Sequence, residues 1–150
     1  MRLEFYQRLA AKIGHKSYRV FLERFNYGNK SPGSDVERFW LDDSLKISAL
    51  EQIGFLRSLV TGDLGLSERT TSLLKEVMET QGLGSCRIWA KTGWAMGIKS
   101  PVGWYVGYAV DGSKQWLFAM NMGLSTMERA HLRREMVLKA LTAKKLCTAP

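Results

Sequence analysis

A chain of 150 residues, 45% hydrophobic and 24% charged, has the length and apolar content for one ordinary core, and none of its apolar runs approaches the roughly 20 residues that span a bilayer. Its 22 Lys and Arg against 14 Asp and Glu give a charge of +8, which suits an anionic partner, but the cations are dispersed (Arg19, Arg24, Lys46, Arg57, Lys75, Lys99) or gathered on one expected helix at 129–145, and no nucleic-acid-binding motif accompanies them, so no nucleic-acid role is expected. His15 and His131 are isolated, and Cys86 and Cys147 lack Cys-x-x-Cys spacing, which argues against a metal centre, a histidine-driven triad and a dense disulfide framework; the two cysteines are expected as unpaired thiols.

The first segment, MRLEFYQRLAAKIG, is an amphipathic helix pattern and has none of the features of a secretion signal. Leu3, Tyr6, Leu9, Ala10 and Ile13 recur at helical spacing up to Gly14, and Ser17 opens a second helical set with Val20, Phe21 and Phe25 on one side. Residues 27–36, rich in Gly, Asn, Pro and Ser, read as a loop. Ser48 and Glu51 form a capping-box pattern ahead of Ile53, Leu56, Leu59 and Val60, ending near Gly62. Ser67 begins a further helix with Leu73, Leu74, Val77 and Met78 expected inward.

After Gly82-Leu83-Gly84 the period changes. Residues 86–91, 102–110 and 115–122 are short, aromatic and β-branched, and Asp111-Gly112 joins the last two as a hairpin, so an antiparallel meander is expected, with no strand before Cys86. A second capping-box pattern at Ser125 and Glu128 starts a last helix near Met127, offering Leu132, Met136, Val137 and Ala140 to the sheet. The fold class is therefore α+β: a helical part at 1–84, then an antiparallel sheet with a C-terminal helix packed on it at 85–150, leaving a sheet edge uncovered.

The residues able to carry chemistry gather at the end of the first expected strand. Lys91 sets a positive charge there, the Thr92 hydroxyl can bind a carboxylate or carbonyl, and Gly93 lets a ligand approach the backbone; Lys-Thr-Gly is also one signature of penicillin-recognising serine enzymes. Around it stand Tyr27-Gly28-Asn29, Phe39-Trp40-Leu41, Leu45-Lys46-Ile47-Ser48 and Trp94 directly after the glycine. In these ordered blocks the chain resembles the class D (oxacillinase-type) serine β-lactamases over essentially its whole length, matching only the C-terminal portion of such an enzyme.

That resemblance implies a β-lactamase/transpeptidase-like fold, a hydrolase opening β-lactam rings by serine acylation and deacylation, periplasmic placement, a role in antibiotic resistance, and no cofactor beyond a CO2-derived carboxylated lysine. It implies that Lys91, Thr92 and Gly93 line the pocket and that Arg133 helps meet the drug's carboxylate, a task that guanidinium geometry suits. It makes the Trp94 backbone N–H an oxyanion-hole donor and Trp40 the shelter of the lysine base, with Tyr27, Gly28 and Asn29 architectural.

The departures are as informative. No serine is followed three residues later by lysine in a matching context, so the family's nucleophile and base have no counterpart, and its second motif, Ser-x-Val, falls on Met1 and Leu3. The chain is thus expected to be a fragment, inactive alone and only marginally folded in isolation. Two further readings are a penicillin-binding sensor domain of a membrane receptor, acylated and held so, and a decayed remnant without activity; Trp94 and the Trp104-Tyr105 pair look more like the enzymes.

Overall fold

A computed structural model describes residues 3–147. Helix α1, Leu3–Arg24, is interrupted at Gly14, whose φ of 77° and ψ of 156° leave the helical region at the predicted stop. Its second segment is fastened to the following loop: His15 Nε2 donates to Gly33 O at 2.8 Å, and Tyr18 meets Phe39 edge-on with ring centroids 4.9 Å apart. Helix α2, Ala49–Thr61, opens on the expected capping box of Ser48 and Glu51 and closes on Gly62 in the left-handed conformation. Helix α3, Glu68–Met78, is capped by Ser67, but of its expected inward set only Met78 is buried; Leu73 and Val77 are exposed.

Two expectations about the sheet need correction. It has four antiparallel strands in the order β1-β2-β3-β4: β1 (Glu79–Leu83), β2 (Cys86–Ala95), β3 (Val102–Asp111) and β4 (Lys114–Gly123). The helical part therefore ends at Met78, and a strand does precede Cys86. Its glycine hid it from the sequence pattern: Gly82 approaches the Cys86 backbone where the β1–β2 register shifts, and the chain then reverses at Gly84, φ 54°. The second correction concerns Lys91-Thr92-Gly93, which lies within β2, since that strand continues to Ala95. The β3–β4 hairpin turns tightly, with Asp111 opposite Lys114 and Gly112 at φ 58°.

Strand alternation sorts the sheet's two faces. Ile88, Ala90, Tyr105, Ala109, Trp116 and Phe118 share one face with Val137 and Leu141 of helix α4, Leu132–Ala143. Arg87, Trp89, Tyr108, Val110 and Gln115 share the other, beneath α2 and α3. Helices thus cover both faces, as the near-continuous apolar strands require. The capping box expected at Ser125 and Glu128 does not form. Instead a single 3-10 turn, Met127–Arg129, opens at Thr126 without a side-chain cap, and α4 begins only at Leu132. Leu124, 1% exposed, is held by its N–H to Pro101 O at 2.9 Å and anchors this connection.

The cysteines also depart from expectation, because Cys86 and Cys147 form a disulfide with a Cα–Cα distance of 5.4 Å. Both are buried in the core between α4 and the sheet. Their separation of 61 residues carries no pairing signal; they meet because α4 runs back along the sheet and returns the chain to the start of β2.

Candidate functional site

β1 accompanies β2 only as far as the pair Glu79 and Trp89, whereas β3 pairs with β2 along its whole length, from Arg87 to Ala95. Among the described residues, the outer side of β2 beyond Trp89 thus has no strand partner, and alternate backbone N–H and C=O groups of 90–95 stay open there. Lys91, Thr92, Gly93 and Trp94 all lie on this open edge. Alternation places Thr92 and Trp94 on the α4 face of the sheet and Lys91 and Gly93 on the other.

Arg133, in the first turn of α4, is the residue that ties the helix to this edge. Its Nη1 donates to Gly93 O at 2.6 Å and its Nε to Ala130 O at 2.8 Å, leaving Nη2 without a hydrogen bond among the described residues. Its side chain crosses β3 at Gly103, where an added Cβ would come within 2.8 Å of Arg133 Cδ and 2.6 Å of Leu124 Cδ2; only glycine leaves room for the crossing. Arg133 is buried, and that burial lowers its guanidinium pKa from the ordinary value. Two of its five N–H groups are committed to backbone carbonyls, and the second N–H of Nη1 and both of Nη2 remain for another acceptor.

Lys91 is half-buried, its Nζ donating to Thr92 O at 3.2 Å, and its pKa is lowered, first by desolvation and then by the charge of Arg133. Two cations kept close at a partly dry edge favour an anion between them. Trp94 is fixed by its indole, Nε1 donating to Leu124 O at 2.8 Å, so its backbone position is held from the side-chain end. Sequence reasoning missed this bond and the need for Gly103; a glycine inside an otherwise bulky strand was the available signal.

The loop after β2 brings in the second block. A Cβ on Gly97 would lie 3.6 Å from Leu41 O and 3.9 Å from Arg38 Nη2, so 95–101 passes beside 38–41. Phe39 is buried, and half-buried Trp40 stands edge-on to it with centroids 5.0 Å apart. The Trp40 indole makes no hydrogen bond among the described residues. Tyr27, Gly28 and Asn29 lie beneath this segment as a fastening: Tyr27 OH donates to Gln52 Oε1 at 2.7 Å, while Asn29 donates through Nδ2 to Ser44 O at 2.8 Å and accepts at Oδ1 from Lys46 N at 3.0 Å. Gly28 has φ 52° and abuts Lys46 O so closely that no side chain fits.

Met1 lies outside the described residues, and Leu3, 40% exposed, begins α1. The literal Ser-x-x-Lys of the chain, Ser72 to Lys75, has both side chains exposed on α3.

Residues 4–142 match the penicillin binding protein transpeptidase domain. The β-lactamase OXA-48 of Klebsiella pneumoniae is 38% identical over 141 residues, covering 94% of this chain and 53% of that protein, and OXA-19 of Pseudomonas aeruginosa is 30% identical over 142 residues, again covering 53% of its length. Among solved structures, the class D β-lactamase YbXI from Nostoc superposes with TM-score 0.89 at 34% identity, over 95% of this chain and 61% of that one. FUS-1 (OXA-85), a class D β-lactamase from Fusobacterium nucleatum subsp. polymorphum, superposes with TM-score 0.90 at 30% identity, over 97% of this chain and 61% of its own. The chain thus spans about half the length of the curated relatives it matches.

Proposed function

Given that the chain belongs to the penicillin binding protein transpeptidase domain family, with class D β-lactamases as its similar relatives, we propose that it supplies the β-lactam-docking half of a serine β-lactamase and hydrolyses nothing by itself. The observation that carries this reading is the open edge of β2, where Lys91 and Thr92 stand beside an arginine anchored at Gly93 O.

On this reading the lactam lies along residues 91–94 as an added edge partner. Its carboxylate meets the Lys91 ammonium, the Thr92 hydroxyl and the remaining N–H groups of Arg133 Nη2. Because desolvation and the charge of Arg133 disfavour the ammonium form of Lys91, an anion bound beside it offsets that cost. The Trp94 N–H donates to the lactam carbonyl oxygen as it becomes an oxyanion, and the indole bond to Leu124 O keeps that donor in place.

The acylated serine and the carboxylated lysine base are supplied by polypeptide other than these 150 residues. Serine attack on the lactam carbonyl breaks the C–N bond, the ring nitrogen takes the proton, and water later cleaves the acyl ester with the lysine carbamate as base. On this reading Trp40, whose indole N–H is unspent among the described residues, donates to that carbamate. No metal or organic cofactor enters this chemistry. A buried Cys86–Cys147 disulfide suits an oxidising compartment such as the periplasm, where the substrate is also met.

The test is nitrocefin hydrolysis by the purified 150-residue protein, expected at the level of buffer alone. Turnover abolished by Ser72→Ala would instead make the exposed Ser72–Lys75 pair the nucleophile and overturn the assignment.

A further inference from the structure

The segment at 35–42 is a tight turn: Arg38 N and Phe39 N both donate to Asp35 O, at 3.1 and 3.0 Å, and Arg38 O accepts from Leu41 N and Asp42 N at 2.6 and 3.1 Å. Phe39 pins the turn from the inside, being buried, while its neighbour Arg38 stays exposed. The guanidinium of Arg38 is left over from the pairings around it. Asp35 accepts at Oδ1 from Glu37 N at 2.9 Å, Asp42 accepts at Oδ1 from Ser44 N at 3.0 Å, and Asp43 pairs with Lys46 at 3.1 Å. Glu37, the remaining acid of the turn, is exposed and forms no salt bridge with Arg38. Among the described residues the Arg38 side chain has no hydrogen bond, ion pair or ring contact.

What lies beside that free guanidinium is the end of the docking strand. Gly97 follows closely on Ala95, where β2 stops, and a Cβ added to it would be 3.9 Å from Arg38 Nη2. Having no side chain, Gly97 leaves the space between the guanidinium and the strand end open. From Trp94 to Gly97 the chain advances about 10 Å at most.

The chemistry of a β-lactam supplies the direction. Its ring carboxylate and its lactam carbonyl lie on opposite sides of the ring nitrogen, and the acylamino side chain leaves from the carbon on the far side of the carbonyl. With the carboxylate at Lys91, Thr92 and Arg133 and the carbonyl at the Trp94 N–H, that side chain runs on past Ala95 toward Gly97 and Arg38.

We propose that Arg38 is a specificity-determining residue for the lactam side chain, and that the site prefers β-lactams bearing a second carboxylate there, which the guanidinium receives beside Gly97. The proposal rests on the docking orientation of the functional reading above. A planar guanidinium suits a carboxylate, and this one has no partner to surrender. A dianionic lactam then meets cations at both ends of its course along β2, on a molecule of charge +8.

The experiment titrates the full 150-residue protein, isotope-labelled and followed by NMR, with benzylpenicillin and with carbenicillin, which differ by a side-chain carboxylate. Both should shift the amide signals of residues 91–94. Carbenicillin alone should shift Gly97 and the Arg38 Nε–H, and it should bind about three- to tenfold more tightly. Arg38→Gln should bring the two affinities together, with unchanged β2–β3 amide exchange showing that the fold survives, and Arg38→Lys should keep part of the difference. Lys139→Gln, which removes a charge from an exposed position on α4, should leave the ratio of affinities as it is. Equal binding of the two lactams by the parent protein, an advantage of carbenicillin that survives Arg38→Gln, or one lost as fully in Lys139→Gln would each overturn the proposal, the last in favour of long-range attraction by net charge. Those outcomes leave the docking reading standing, because benzylpenicillin still shifts 91–94. Failure of both lactams to shift 91–94 removes that reading and the role of Arg38 with it.

Discussion

From Glu79 onward the polypeptide closes a core of its own, whereas the stretch before it turns much of its apolar surface outward. Ile88 and Ala109 are 0% exposed beneath α4, while Phe5 is 62% and Val20 54% exposed on α1. The two regions have comparable apolar patterning, so the difference lies in what each finds to pack against. Four paired strands bury one another's side chains, with α4 over one face and α2 and α3 over the other; a helix such as α1 needs a facing element, and its partners here are the loop at 33–39 and the turn at 64–65. A periodic apolar face in a sequence identifies a surface that will be covered, without saying by which segment. The docking edge belongs to the self-sufficient region, and Trp40 belongs to the other.

That contrast can be broken most severely at the disulfide. Replacing Cys86 and Cys147 by serine opens a closure of 61 residues and should cost about 4 kcal/mol by loop entropy alone, seen as a large fall in Tm that a reducing agent reproduces in the parent protein. Ile88→Ala, at a site with no exposure, should cost about 2–5 kcal/mol, whereas Phe5→Ser should change stability by no more than about 0.5 kcal/mol. If Phe5→Ser proves as costly, the helical region is covered in solution and the contrast fails. Gly103→Ala should cost about 1–3 kcal/mol and, as a sharper sign, free Arg133 from Gly93 O, which the exchange of the Arg133 Nη1 hydrogens would report.

The smallest expected effect concerns Lys91. Its folded pKa lies below the unfolded value, so the unfolded chain binds more protons between the two and stability rises with pH through that window. Below the window the full cost of holding Lys91 charged is present. Lys91→Met should therefore be the more stable protein at neutral pH, with the difference in Tm shrinking as pH rises toward the ordinary lysine value. Tyr27 and Tyr108, whose pKa values are raised by burial, act in the opposite sense above their ordinary range and are common to both proteins, so they cancel in the comparison. A pH-independent difference would mean that Lys91 is solvated.

Local signals were legible wherever the deciding partner lay within a few residues. The Ser48–Glu51 box, the left-handed Gly62, the break at Gly14 and the turn at Gly112 each follow from short-range sterics or capping, and each is present. The α+β class followed from the change in period. What was not legible depended on distant partners. β1 contains Gly82 and is a strand because β2 lies beside it; Ser125 and Glu128 give way to an uncapped 3-10 turn at Met127–Arg129; Cys86 and Cys147 meet only through the course of α4. The candidate site shows the same division: Lys91-Thr92-Gly93 is evident in the letters, but its exposure depends on β1 stopping opposite Trp89, and the reach of Arg133 depends on a glycine in another strand.

The disulfide and the Arg133 hydrogen bond join the same two elements at opposite ends. Cys147 holds the start of β2 at Cys86, and Arg133 holds Gly93 farther along it. The strand between those points advances about 23 Å at the usual rise; helix α4 from Arg133 to Ala143 advances about 15 Å, and the residues from Lys144 to Cys147 supply the balance. The two paths are matched in length, like parallel sides of a frame pinned at both corners. A residue inserted or deleted in either path would leave one pin out of reach of its socket, so this pair of elements should accept exchanges of side chain and refuse changes of length.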